Sequence, residues 1–162
     1  MKRWILIFSI IINSQAFALS PTAKIISQTS APVTITKYDA EYRERTNYSL
    51  GGIHHKVSYK NTGKQTIEAI QFGLVSFNIW NEFIGSLAGI SMKSNDPGDT
   101  ENGAWIDNAY GDFAFHSGFA YVKKIRYADG TIWKADLEEI RKELAKIQAD
   151  FDVKSLEPKR DK

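Results

Sequence analysis

Residues 53–80 read IHHKVSYKNTGKQTIEAIQFGLVSFNIW, and this stretch decides the fold class. Ile53, His55, Val57 and Tyr59 alternate with His54, Lys56, Ser58 and Lys60. A period of two is the mark of a strand with one face in the core and one in water. Asn61-Thr62-Gly63-Lys64 then supplies turn chemistry, with Gly63 free to take a positive φ. From Thr66 to Trp80 both faces are apolar: Ile70, Phe72 and Leu74 on one, Val75, Phe77 and Ile79 on the other. A strand apolar on both sides belongs in the middle of a sheet with something packed on each face. Half-buried strand, turn and doubly buried strand together predict a mainly β domain.

The same signals continue outward. Val33–Tyr38 (VTITKY) is β-branched and alternating, hence a strand. Asp39–Ser49 is charged and reads as a loop or an edge segment facing water. A turn near Asn81-Glu82 leads into a further strand at Phe83–Met92. Ser94–Gly103 (SNDPGDTENG) is a polar loop, and Trp105–Ser117, which mixes aromatics with Gly and Asp, carries no clear pattern. Phe119–Tyr127 is a strand that Asp129-Gly130 returns as a hairpin into Thr131–Lys134. The period then changes. Leu137, Ile140, Leu144, Ile147 and Phe151 recur at spacings of three and four, the apolar stripe of a helix, with Asp136 placed to cap it and Glu139 three residues on. Glu138 and Lys142 stand four apart as a favourable pair on that helix. Six or so short strands followed by one helix predict a β-sandwich with an added C-terminal α-helix; a partly open barrel is the alternative architecture.

The N-terminus carries a different message. Lys2 and Arg3 precede an apolar run from Trp4 to Ile12, and Ala16-Phe17-Ala18 follows with small residues at the two positions a signal peptidase reads. The run is far shorter than the roughly 20 residues needed to span a bilayer, so residues 1–18 are expected to be a cleaved signal peptide. The sequence is thus divided into a signal peptide (1–18), a loose Ser/Thr/Ala/Pro lead-in (19–32), a sandwich domain (33–134), a helix (135–153) and a disordered tail (154–162). The signal peptide holds two of the 21 basic residues and none of the 19 acidic ones, which leaves the mature chain with 19 of each sign. A neutral chain gives no reason to expect nucleic acid or an anionic membrane surface as partner. There is no cysteine, which excludes disulfides, a thiol nucleophile, thiolate metal sites and lipid attachment of the lipoprotein kind. After cleavage no stable membrane insertion is expected, and the compartment is periplasmic or extracellular.

Lys56–Gly85 (KVSYKNTGKQTIEAIQFGLVSFNIWNEFIG) resembles a hairpin of small exported bacterial immunoglobulin-like domains, such as the FxLYD group and related domains of unknown function. Asn61, Gly63, Ile67, Ile70, Phe72, Leu74, Phe77 and Gly85 fill the places of that pattern, and Val122–Trp133 is similar to the closing hairpin of such domains. The resemblance covers about half of the mature chain. It implies an immunoglobulin-like fold and a non-catalytic role, and it carries over no functional residue.

Candidate sites are sparse. Trp80, Trp105 and Trp133 could form an aromatic platform for a glycan or peptide, with Trp80, Trp105 and Tyr110 the candidate ligand-binding residues, although large aromatics more often pack a core. Asn95, Asp96, Asp99, Glu101 and Asn102 could offer oxygen ligands to calcium, but their spacing lacks the alternation of a calcium loop. His54 and His55 point to opposite faces of a strand and cannot share an ion, and His116 is distant in sequence. No Gly-x-Ser-x-Gly elbow occurs, and nothing selects among Glu82, Asp107 and Asp112 as a catalytic pair. The stripe of Leu137, Ile140, Leu144 and Ile147 either packs on the sheet or docks a partner. These observations point to an exported, non-catalytic interaction module that binds another protein or an envelope component, with no cofactor and no metal. A carbohydrate- or calcium-binding accessory domain is the alternative, and a hydrolase the third reading.

Overall fold

The computed structural model describes residues 21–49, 51–108 and 115–157. Eight strands are present among them: β1 (Thr22–Ile25), β2 (Val33–Arg43), β3 (Gly52–Asn61), β4 (Ile67–Asn78), β5 (Phe83–Ser91), β6 (Thr100–Asp107), β7 (Phe115–Tyr127) and β8 (Ile132–Lys134). They form two sheets. One has the order β1-β7-β4-β5, with β8 sharing the outer edge of β7; the other has the order β2-β3-β6. All pairings are antiparallel except that of β1 with β7. The molecule is a β-sandwich and not a closed barrel, with a short helix near its C-terminus.

The burial of each strand follows its sequence. On β3 the inward set Ile53, His55, Val57 and Tyr59 is buried to within 1%. These residues meet Ile70, Phe72 and Leu74 of β4 and Ala120, Val122 and Ile125 of β7 in the core between the sheets. The other face of β4 and β7, with Val75, Phe77, Phe119 and Tyr121, forms a second core. That double burial is why β4 sits between β5 and β7.

A C-terminal segment covers the second core. Helix α1 (Leu137–Leu144) starts at Asp136, whose carboxylate accepts the amide hydrogen of Glu138 at 2.9 Å. Ile140 and Leu144 are fully buried against Val75, Phe77, Phe119 and Tyr121, with Leu137 and Ile147 half-buried beside them. The apolar stripe is thus spent on packing, and its removal from water is what holds so short a helix in place. Its residues have no free apolar face for a partner. The helix is eight residues long, shorter than the expected span of 135–153; turns follow, then a 3-10 turn at Val153–Leu156 that buries Leu156. Glu138 pairs with Arg141 at 2.7 Å. Residues 154–157 therefore belong to the fold, and 158–162 lie outside the described residues.

Three further expectations change. Residues 22–25 are a strand, although 19–32 reads as a loose lead-in; all four of its side chains are exposed, so no hydrophobic alternation announces it. Strand β6 begins inside the stretch read as a polar loop, because an edge strand with no fully buried residue can be built from Thr, Glu and Asn. The Asn61–Lys64 turn is not a hairpin: β3 and β4 lie in different sheets, and the turn carries the chain between them. Asn61 anchors that crossing from a fully buried position. Its Nδ2 donates to the carbonyls of Gln65 and Asn95, both at 2.9 Å, and its Oδ1 accepts from Gly63 N at 2.9 Å. By contrast β7 and β8 form the expected hairpin, with Gly130 at φ +83°.

Candidate functional site

Successive strands from β2 run alternately up and down the sandwich. The β2–β3 and β4–β5 turns therefore project from one end. Both carry exposed aromatics. Trp80 is 74% exposed and its neighbour Ile79 44% exposed at the tip of the β4–β5 turn. Tyr48 is 99% exposed in the β2–β3 turn.

The Trp80 turn is held by one residue. Asn78 Oδ1 accepts the amide hydrogens of both Trp80 and Glu82, each at 2.9 Å. Its Nδ2 donates to the Glu82 carboxylate at 2.9 Å, and its backbone bonds Glu82 O and Asn81 N, both at 3.0 Å. Asn81 takes φ 61°, a left-handed conformation that asparagine tolerates better than most residues. The tip is thus an apolar pair, Ile79 and Trp80, on a backbone already ordered before any partner arrives. A rigid Trp immobilises at low entropic cost, which is why this residue type dominates binding hot spots.

Trp105 does something else. Its indole lies flat over Gly103 and Gly89, close enough that a Cβ on either glycine would stand 2.1 Å and 2.8 Å from the ring. Its Nε1 donates to Ile90 O at 3.2 Å, and its ring centroid is 5.6 Å from that of Phe72. Trp105 closes the side of the sandwich between β5 and β6. It cannot share a flat platform with Trp80: Phe72, which it touches, lies six strand residues before Asn78, about 20 Å away. Trp133 is half-buried against the inter-sheet core. Tyr110 lies outside the described residues. Tyr48 was not singled out by the sequence pattern, although an aromatic in an otherwise charged and polar stretch was the available signal.

The acidic loop spends its groups internally. Asp96 Oδ1 accepts from Thr66 Oγ1 at 2.7 Å, Asp99 Oδ2 accepts from Asp96 N at 3.2 Å, and Glu101 pairs with Lys93 at 3.0 Å. Asn102 Oδ1 accepts from Ser58 Oγ at 2.6 Å, whereas Asn95 is fully buried and bonds through its backbone, its side-chain amide having no partner among the described residues. Among the described residues no three metal-ligating side chains converge.

One polar cluster lies inside the sandwich. The Tyr38 hydroxyl and His55 Nδ1 are 2.9 Å apart, with the two rings parallel. Burial pushes His55 down to about 4, with His54 adding a smaller push in the same direction. Burial also pushes the Tyr38 phenol up. His55 Nε2 and the hydroxyl of buried Ser76 have no hydrogen-bond partner. Ser76 is opposite Gly118 in the sheet, and a Cβ on Gly118 would stand 2.6 Å from the Tyr38 oxygen, so these groups occupy one level of the core. Among the described residues no carboxylate bonds to either of the two rings. Asp107, half-buried at the end of β6, is raised by desolvation.

Fold and site together define a two-sheet β-sandwich with a preordered aromatic tip at one end. No protein-family model matches the chain, and no curated protein matches it. It is similar to a solved structure of a hypothetical protein from Peptoclostridium difficile 630, at 10% identity and a TM-score of 0.52, over 72% of this chain and 92% of that one. It is also similar to a structural-genomics target at 11% identity and a TM-score of 0.41, over 64% of this chain and 80% of that one. The first likeness places the sandwich among solved folds.

Proposed function

We propose that this chain is an exported immunoglobulin-like domain that binds another protein or an envelope component without catalysing a reaction. The observation that carries the reading is the Trp80 tip: a large aromatic side chain left in water on a turn that Asn78 holds rigid. An exposed tryptophan on an ordered turn is the residue type that most often anchors a binding hot spot, and this supports a partner surface here. Tyr48, on the same end, widens that surface. Export rests on the N-terminal segment, and among the described residues no helix is long and apolar enough to cross a membrane.

The test compares variants. A tagged protein and its Trp80→Ala variant are passed over the envelope fraction of the native host, and bound proteins are quantified by mass spectrometry. A partner retained by the parent should fall about tenfold or more with Trp80→Ala, as a hot-spot truncation does, and less with Tyr48→Ala. The melting temperature of both variants should stay near that of the parent, because both side chains are exposed. Equal capture by parent and Trp80→Ala refutes the tip as the binding surface.

A further inference from the structure

The chain enters the described fold at the same end as Trp80 and Tyr48. Strand β1 runs parallel to β7 with Thr22 opposite Ser117, and Ser117 is in turn opposite Phe77 of β4. Thr22 therefore lies two strand spacings, about 10 Å, from Phe77, in the row next to the Asn78 turn. Pro21 stands one residue further toward that end. It also lines a groove of about 500 Å³ between β1 and β2 together with Ala40 and Glu41, just before β2 ends at Arg43 and leads into the Tyr48 turn. The entry point is fixed by more than the pairing of β1. Ile26 N donates to Ala120 O at 2.9 Å. Gln28 Nε2 donates to Val122 O at 3.0 Å and Gln28 Oε1 accepts from Val122 N at 2.7 Å, so this side chain patches the outer edge of β7.

Upstream of this end the sequence holds the apolar run Trp4–Ile12 and the expected cleavage site after Ala18. A signal peptide is cut at the outer surface of the bilayer that holds its apolar run. Only Leu19, Ser20 and Pro21 separate that site from β1, a reach of about 10 Å at most. On an export route, the residues that enter the fold beside Trp80 and Tyr48 are thus the ones last held at the bilayer.

The chemistry of the end agrees with that origin. A glycan or a peptide is oriented by convergent hydrogen-bonding groups beside an aromatic ring. At the Trp80 turn such groups point inward. The amide hydrogens of Trp80 and Glu82 go to Asn78 Oδ1, that of Asn81 goes to Asn78 O, and the Glu82 carboxylate takes Asn78 Nδ2. At the end of β2, Arg43 and Glu41 pair with each other. What projects is Ile79, Trp80 and Tyr48. Tryptophan and tyrosine settle at the boundary between lipid headgroups and acyl chains, where an apolar ring and a polar N–H or O–H are both satisfied.

We infer that the end bearing Trp80, Ile79 and Tyr48 seats on the surface of a lipid bilayer, with the Trp80 ring at the level of the headgroups. The inference rests on the Trp80 tip as the binding surface and names the envelope component it meets. The contact is peripheral and reversible, because two turns bury less apolar surface than a single myristoyl chain, which by itself binds only marginally. It is indifferent to lipid charge, because the mature chain carries 19 charges of each sign.

The experiment uses the purified exported protein and unilamellar vesicles of phosphatidylcholine, alone or mixed in equal parts with phosphatidylglycerol. Binding is read by co-sedimentation, and its location by quenching of tryptophan emission with lipids brominated on the acyl chain near the headgroup. Lipid is taken to about 5 mM, well above the about 0.1 mM at which a myristoyl chain is half-bound. The parent should sediment with both vesicle types, with affinities within about twofold of each other. Trp80→Phe should keep most of the binding and lose most of the quenching, since Trp105 and Trp133 stay in the folded sandwich. Trp80→Ala combined with Tyr48→Ala should bind about tenfold more weakly or worse, the loss expected from withdrawing two rings from the interface. Its melting temperature should stay near that of the parent. Three outcomes overturn the proposal: neither sedimentation nor quenching at about 5 mM lipid; equal binding by the double variant; or binding only to vesicles that contain phosphatidylglycerol, which would assign the contact to a basic surface elsewhere. If the parent ignores vesicles yet captures an envelope protein that Trp80→Ala loses, the tip stands as a protein-binding surface and the bilayer falls as its partner. If Trp80 matters to neither, the tip reading falls as well.

Discussion

On one side of the sandwich Trp105 lays its indole across Gly103 and Gly89 and bonds the edge of β5. On the other side, between β1 and β2, runs a groove whose lining includes Ala23, Tyr38, Ala40 and His54. Both sides must separate the same inter-sheet core from water, and they do it by different means. The first uses one large ring over two residues that lack a Cβ, so the sheets are joined and the edge carbonyl is satisfied. The second relies on Val33, Ile35 and Tyr38 reaching inward from β2, and leaves the groove outside them unfilled. The side sealed by a single aromatic has its edge carbonyl at Ile90 spent on the indole, whereas the other side keeps a groove between the described parts of β1 and β2.

This contrast can be broken at the sealed side first. Trp105→Ala removes a half-buried ring that cannot be replaced by its glycine neighbours, and should cost about 3 kcal/mol in urea unfolding at pH 7, the lower part of the range for buried Trp truncation. A loss below about 1 kcal/mol would mean that the ring is not what closes that side. The next largest effect comes from the polar layer inside. His55 has its pKa lowered from 6.5 to about 4 on folding, so the unfolded chain takes up a proton that the folded chain refuses. Stability is therefore fully present above pH 6.5 and falls as pH drops from 6.5 toward 4. At 1.36 kcal/mol per pKa unit the loss reaches about 2 kcal/mol by pH 5. The urea midpoint of His55→Gln, measured beside the parent at pH 7 and pH 5, should lack this part of the slope; parallel slopes would refute the assignment to His55. The smallest effect sharpens the open side. Gln28→Ala removes the side-chain patch on β7 and should cost about 1 kcal/mol, with faster amide exchange at Val122 and little change at Ile125.

Much of the fold was legible in residues 53–80. The alternation of Ile53, His55, Val57 and Tyr59 and the double apolar face of 70–77 correctly predicted which strand has one buried face and which has two, while Ile79, read as part of that face, lies past the strand end and is exposed. Asp136 and the stripe from Leu137 predicted the helix start, because capping and a 3.6-residue period are local signals. Strand β1 was not legible, since its stability comes from pairing with β7, close to a hundred residues away in sequence, where Gln28 also bonds Val122. The candidate site was legible in part. Trp80 is exposed, against the commoner fate of large aromatics; Trp105 is not its partner, because the glycines that receive its ring lie on two different strands.

What the sequence by itself determined is the list of strands with strong alternation, the turns at Asn61–Lys64 and Asp129-Gly130, and the cap and stripe of the helix. Each depends on residues within one element or one turn, whose backbone preferences and side-chain periods act locally. Only the tertiary structure decided that β3 and β4 lie in different sheets, that the helical stripe faces Val75 and Phe119, and that one side of the sandwich is sealed while the other stays open. Those outcomes depend on pairing between distant strands and on the fit of one ring over two glycines, and neither is carried by any single stretch of the chain.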